Sequence, residues 1–247
     1  MINIVIPMAG LGTRFSEAGY VKPKPFVDVN GKPMIVRVME NLNCPGARFI
    51  LIARKEHIQS ERKLAREIEM EYNAKFITLD KLTEGSACTV LFAHREINND
   101  NPLVIANSDQ IVDIRMSDFI DDCLIKNLDG HILCFDDIEL NPKWSFAQTD
   151  DSGLVVKVKE KEAISNLATV GIYFFSRGRD FVDGAIDMII NNDRVKNEFY
   201  TCPVYNYLIS QGRKIGTYCI DFYQMHGLGT PEDMMLYIDH ISPVKKV

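Results

Sequence analysis

The residues best suited to chemistry lie near the start of the chain. An apolar run, Ile2–Pro7, leads into Met8-Ala9-Gly10-Leu11-Gly12-Thr13-Arg14, and Lys22-Pro23-Lys24-Pro25-Phe26 follows shortly after. A strand that empties into a glycine-bearing loop exposes backbone N–H groups that can wrap a phosphate. Gly10 and Gly12 permit positive φ and close approach of the main chain to an anion. Arg14 adds a delocalised charge whose fork matches phosphate oxygens. The prolines stiffen the segment around Lys24, because a residue before proline avoids the helical region. Two lysines alone would read as a solvated basic loop; the preceding Gly-Gly-Arg loop shifts the balance toward phosphate binding. A dinucleotide-binding GxGxxG fits poorly: Phe15 stands where the third glycine would fall, and Gly19, Pro23 and Pro25 interrupt any following helix.

A second chemical feature is the apolar run Leu103–Ala106, which delivers Asn107-Ser108-Asp109 at its end. One carboxylate at the C-terminal end of a strand suits Mg²⁺, a hard cation that shares substrate phosphates with the protein. Lys157–Glu162 is a charge-rich run, and spacing alone makes Glu160 an exposed strand end as readily as a functional group.

These groups need a scaffold. The chain has 247 residues, 46% of them hydrophobic and 25% charged, which is ordinary for a globular protein with a sizeable core. The net charge of −6 comes without a basic block, and Lys245-Lys246 is too short to change that. A nucleic-acid-coating surface needs a basic stripe, so no nucleic-acid partner is expected. No apolar run approaches the roughly 18 residues of a membrane span, so no membrane partner is expected either. Met1–Pro7 lacks the features of an export signal. Six scattered cysteines without a CxxC pair read as buried thiols in a cytoplasmic protein.

Short apolar runs alternate with amphipathic segments. Strands are expected at 2–7, 49–53, 75–79, 103–106 and 132–135, with helices at 33–42, 57–72, 86–94 and 116–126. This rhythm predicts an α/β fold with a mainly parallel sheet flanked by helices, and ligands at the C-terminal ends of its strands. After about Asn141 the pattern changes. A hairpin of 145–149 and 154–159 is expected around Asp150-Asp151-Ser152-Gly153. A strand at 168–175, helices at 181–190 and 199–211, a strand at 214–220 and a helix at 231–240 capped by Thr230 complete the reading. The simplest organisation is one domain, with a first half over about residues 1–140 and a smaller, more antiparallel half over about 141–247.

Three motifs then stand in order: Gly10-Leu11-Gly12-Thr13-Arg14, Pro23-Lys24-Pro25-Phe26 and Gly31-Lys32-Pro33-Met34-Ile35. Together they resemble the opening of the sugar-phosphate nucleotidyltransferases, the nucleoside-diphosphate-sugar pyrophosphorylases, whose pattern is GxGTR, a spacer, PKxL/F, then GKPMI. The likeness continues nearly to the end. Thr83-Glu84-Gly85-Ser86-Ala87 is similar to the family's xxGTA or DGLA segment, and Ile105–Asp109 to its strand ending in GD. Val158-Lys159-Glu160-Lys161 is similar to EEKP, and Gly229-Thr230-Pro231-Glu232-Asp233 to the late DxGTPED motif. Ser108 replaces a usual glycine, Glu162 a usual proline, and Gly227 the aspartate that often supplies a second metal carboxylate. That ligand is then absent, replaced by water, or moved to Asp221 or His226.

The resemblance implies a Rossmann-like nucleotidyltransferase fold and a Mg²⁺ cofactor. It implies transfer of NMP from an NTP to a phosphorylated acceptor, with a sugar phosphate first in line, giving a product of the kind used in surface polysaccharide biosynthesis. Lys24 would be the principal catalytic cation, aided by Arg14. Met8, Ala9, Gly10, Leu11, Gly12, Thr13, Thr83, Gly85, Ser86 and Ser108 would hold the nucleotide, and Asp109 the metal. Glu160, Lys161, Thr169 and Gly171 would meet the acceptor. Relatives commonly form homo-oligomers. A glycosyltransferase of related fold is the runner-up, but Ser108-Asp109-Gln110 lacks the second acid of a DxD motif; a non-catalytic nucleotide-binding module is the third reading.

Overall fold

The computed structural model describes residues 1–242; Lys245-Lys246 lies outside the described residues. Its centre is a nine-stranded mixed sheet. In chain order the strands are β1 (Ile2–Pro7), β2 (Asp28–Val29), β3 (Lys32–Pro33), β4 (Ala47–Arg54), β5 (Ala74–Leu79), β6 (Leu103–Ala106) and β7 (Gln110–Val112). They continue with β8 (Gly130–Asp136), β9 (Ser145–Thr149), β10 (Val155–Glu160), β11 (Leu167–Phe175), β12 (Ile215–Ile220) and β13 (Met225–Gly227). The helices are α1 (Thr13–Glu17), α2 (Met34–Leu42), α3 (Lys55–Ser60), α4 (Arg62–Glu71), α5 (Ser86–Leu91), α6 (His94–Ile97), α7 (Met116–Ile125), α8 (Gly178–Ile190), α9 (Val204–Ser210) and α10 (Pro231–Ile241).

β6, β1, β4 and β5 are parallel neighbours, as the alternation of strands and helices requires. β11 pairs antiparallel with β6 on one side and β8 on the other, so β8 runs the same way as β6 without touching it. The expected parallel block is therefore interrupted by a strand from the second half. One sheet spans both halves of the chain. Both of its faces are buried, and successive residues serve opposite cores. Ile4 and Ile6 pack under α2 and α7 residues, whereas Val5 joins the core formed with α5, α8 and α9.

Several expectations shift by local causes. The expected helix at 199–211 starts only at Val204, because Phe199 has already spent its backbone elsewhere: its N–H donates to Glu84 (2.7 Å) and its carbonyl accepts from Ala87 (3.0 Å). The expected helix at 57–72 breaks at Glu61, whose φ of −115° and ψ of 36° leave helical geometry. A short α1 does follow the first loop, with left-handed Gly12 at its N-cap and Phe15 anchored in the core. β2 and β3 form a small hairpin around Asn30-Gly31, both at positive φ, as a two-residue hairpin turn demands. The β9–β10 hairpin forms as expected. Of the cysteines, Cys44, Cys123, Cys134 and Cys202 are buried, Cys88 is half-buried and Cys219 exposed, and all are free thiols. No helix among the described residues is long and apolar enough to cross a membrane.

Two glycines hold these segments together. Gly85 has φ +122°, and a Cβ there would lie 2.3 Å from the Phe199 carbonyl oxygen. Gly171 has φ +91° at a register shift in β11, and a Cβ would lie 2.1 Å from Asn107 Nδ2. Gly85→Ala and Gly171→Ala combine backbone strain with overpacking and should each cost about 2–5 kcal/mol in denaturant unfolding. Gly10→Ala meets nothing within 4 Å and should stay within about 0.5 kcal/mol of the parent. Equal losses at all three positions would contradict this packing.

Candidate active site

Parallel pairing puts the ends of β1 and β6 side by side, so the loops that follow them open on one edge of the sheet. Ala9, Gly10, Leu11, Gly12 and Thr13 from the first loop line a cleft of about 420 Å³ with Leu82, Thr83, Gly85, Ser86, Thr89, Asn107 and Glu198. The N–H groups of Gly10, Leu11 and Gly12 have no partner among the described residues. Only Gly12 uses positive φ (65°), and a Cβ there would press on Lys24 Cβ at 2.9 Å. Gly10 does not use it; its small size leaves open space in the cleft instead.

Gly12 and Thr13 also border a smaller recess with Arg14, Phe15, Lys24 and Gly229. Here the two expected charged groups meet. The Lys24 ammonium donates to Asp109 Oδ2, with the side chains 17% and 27% exposed. It lies 5.6 Å from the centroid of the Phe15 ring and 3.4 Å from the Gly229 carbonyl. Arg14 is exposed and makes no ion pair among the described residues. Asp109 is fixed from behind, since its carbonyl accepts the Leu228 N–H at 2.7 Å.

Ser86 and Asn107 are shared between the first cleft and a second of about 330 Å³. The second is lined by Trp144, Ser145, Glu160, Lys161, Thr169, Gly171, Tyr173 and Tyr200 among others. Glu160 is not an exposed strand end: it is 8% exposed and accepts from Ser145 Oγ. Burial pushes its carboxyl above the usual range, against the Ser145 hydrogen bond and the Lys161 charge. Lys161 leaves the strand with φ +57°, which breaks the period-two alternation that would place it beside Lys157 and Lys159. Its ammonium donates to Tyr200 Oη, which donates to Glu198. Burial and that carboxylate both raise the Tyr200 phenol. A relay thus links a carboxylate on the first cleft to a lysine in the second.

Two expected nucleotide residues stand apart from these walls. The Met8 side chain is 2% exposed and packs in the core, and half-buried Ser108 lines none of the three hollows. The residue that does is Asn107, beside it in the same motif. Tyr200, Glu198, Trp144, Ser145 and Thr89 also escaped sequence reasoning; no motif flagged them. A more open hollow of about 770 Å³ is lined by Leu79, Leu82, Thr83, Cys88, Phe92 and Ile189, and neither Lys24 nor Asp109 lines it. The second metal carboxylate finds no simple replacement. Gly227 pairs with Gln110, and a Cβ there would point toward Asp233 at 3.9 Å. Asp221 caps the turn Phe222–Gln224, and His226 is bound to Asp113.

A family model described as nucleotidyl transferase matches residues 4–220. The chain is 27% identical over 239 residues to the UTP–glucose-1-phosphate uridylyltransferase AglF of Haloferax volcanii, covering 94% of this chain and 93% of that protein. It is 28% identical over 181 residues to the mannose-1-phosphate guanylyltransferase catalytic subunit beta of Drosophila melanogaster, covering 70% of this chain and 47% of that protein. The chain therefore spans about half the length of the guanylyltransferases it matches. The nucleoside-diphosphate-sugar pyrophosphorylase of Vibrio cholerae RC9 superposes with a TM-score of 0.81 over 96% of this chain and 99% of that one, at 24% identity, a likeness of fold. With the family model covering most of its length, the chain belongs to the nucleotidyl transferase family.

Proposed function

We propose that this protein transfers a nucleoside monophosphate from an NTP to a sugar phosphate, releasing pyrophosphate. The observation that carries the reading is the Lys24–Asp109 pair beside a recess that shares Gly12 and Thr13 with the first cleft, with a second cleft joined to the first through Ser86 and Asn107. A phosphate oxygen of the acceptor would attack the α-phosphorus while the bond to the β-phosphate oxygen breaks. That nucleophile is already an anion near neutral pH, so charge repulsion and positioning are the obstacles. The free N–H groups of the first loop would hold phosphate oxygens, and Lys24 and Arg14 would neutralise the triphosphate. Lys161 would take the acceptor phosphate, and Glu160 would accept from acceptor hydroxyls. The 1–140 half would thus serve the NTP and the 141–247 half the acceptor.

Mg²⁺ fits the donors present. Asp109 offers a partly exposed hard oxygen, and Gly229 leaves room beside it, since a Cβ there would sit 3.5 Å from Oδ2. Mg²⁺ is often held by one carboxylate together with substrate phosphates, so Gly227 does not disqualify the site. Asp109 would hold the ion, which would supply positive charge against the phosphate oxygens. Lys24 donates to that same carboxylate oxygen, so an ion held by Asp109 would leave the ammonium to phosphate. The free thiols support a cytoplasmic setting, where such groups stay reduced.

The reading is tested by assaying pyrophosphate release with four NTPs against a panel of phosphorylated sugars and other phosphoesters; silence across the whole panel would oppose it. Within the active pair, Lys24→Ala should lower kcat by about 10²–10³, the usual cost of ~2.7–4 kcal/mol for one transition-state donor. Exposed Lys22 should be dispensable, and equal effects at the two lysines would refute the assignment.

Chelation should abolish turnover and Mg²⁺ restore it. Asp109→Asn should raise the Mg²⁺ requirement or stop turnover; full activity of that variant at low Mg²⁺ would show the ligand lies elsewhere.

Lys161→Ala should raise the acceptor KM by about 10–100-fold, the worth of a hydrogen bond to a charged group, with little change for NTP. Lys157→Ala and Lys159→Ala are controls from the outer strand face, where Lys159 pairs with Glu162 at 3.6 Å. A Lys161 effect matching these controls would move the acceptor site elsewhere.

A further inference from the structure

His226 remains unexplained by the proposed reaction. Its Nε2–H donates to Asp113 Oδ2 at 2.8 Å, and its ring stacks on that of His240 with centroids 4.7 Å apart. One donor atom from each of Asp113, His226 and His240 lies within 4.8 Å of the others. We propose that these three residues form a second divalent-cation site, selective for a borderline transition ion such as Zn²⁺ and separate from the Asp109 site.

The donor set favours that chemistry. Two imidazoles and one carboxylate suit Zn²⁺, whereas Mg²⁺ and Ca²⁺ prefer oxygen donors throughout. Donors around a tetrahedral Zn²⁺ with ~2.0–2.1 Å bonds stand roughly 3.3 Å apart, so modest side-chain rotations bring this trio into place. Its parts are already held. His226 lies in β13, opposite Ile111 of β7, and the Asp113 backbone is tied to Gln224 by hydrogen bonds of 2.8 and 3.2 Å. His240 comes from the last turn of α10, one turn beyond Tyr237, whose ring lies 5.5 Å from His226. The two histidines open on a cavity of about 340 Å³ that is also lined by Gln110, whose buried Nε2 has no partner among the described residues. A fourth ligand, water or an exogenous group, can enter from that cavity.

An ion here would tie α10 to the β7–β13 ribbon. The chain leaves that ribbon through Leu228, which grips the Asp109 backbone, so the clamp would stiffen the support of the active carboxylate. The test uses the full chain, stripped with chelator, loaded with Zn²⁺ and desalted. Metal is counted by mass spectrometry, and Co²⁺ loading is followed by its visible spectrum. About one Zn²⁺ per chain should remain, with a raised Tm and a Co²⁺ spectrum of low coordination number. His226→Gln and His240→Gln should each weaken binding by more than the ~10–100-fold that outer-sphere partners are worth. His240 lies on an exposed last turn, so its variant serves even if His226→Gln folds poorly. Asp109→Asn should bind Zn²⁺ as the parent does. Retention far below one per chain, binding unchanged in His240→Gln, or binding lost in Asp109→Asn would each overturn the site.

Discussion

The contact between Lys24 and Asp109 is the constraint around which the rest of the site is arranged. The two residues are 85 positions apart and meet because β1 and β6 are parallel neighbours whose ends share one edge. Their surroundings are shaped to permit the meeting. Gly12 must lack a Cβ for Lys24 to pass, and a Cβ on Gly229 would come to 3.5 Å from Asp109 Oδ2. Phe15 anchors α1 in the core and presents its ring to the ammonium. A partly exposed ion pair of this kind adds little to stability. Its consequence is positional: a cation and a carboxylate from distant parts of the chain are held together beside the first loop.

The second cleft depends on a different element, the antiparallel β11. Its irregularity at Gly171 lets the end of β6 interlock, with the Asn107 N–H donating to the Gly171 carbonyl at 3.1 Å. Asn107 consequently faces both clefts. On the opposite wall, segment 198–201 lies against 84–87, where Ser86 Oγ accepts the Thr201 N–H at 3.0 Å. Glu198, Tyr200 and Lys161 then form a chain from one cleft to the other. The strained glycines are therefore where the two halves are locked into one surface, and the polar relay crosses that lock.

The sequence carried the parts of this arrangement that depend on local order. A buried strand followed by a glycine loop, a proline-pinned lysine and an apolar strand ending in a carboxylate are each visible within about ten residues, and their meeting follows from parallel pairing. Groups recruited by tertiary packing were invisible. Residues 199–203 have a helical pattern, yet their backbone is taken by the Glu84–Ala87 loop, which is how Tyr200 reaches Lys161. Asn107 was passed over because the motif emphasised its neighbours. Strict alternation would put Lys157, Lys159 and Lys161 on one face, but the left-handed turn at Lys161 redirects the last of them. The loss of the aspartate at Gly227 was legible; the commitment of His226 to Asp113 was not, because those residues are joined only by the pairing of β7 with β13.

The central claim is that the bond broken lies between the α- and β-phosphates of an NTP. The most direct measurement incubates the protein with an active NTP and acceptor pair, labelled with ³²P at the α position in one reaction and the γ position in another. The account predicts that α label moves into a nucleoside-diphosphate-linked product, while γ label leaves in pyrophosphate in equal amount. Appearance of γ label on the acceptor, or of α label only in free nucleoside diphosphate, would contradict it.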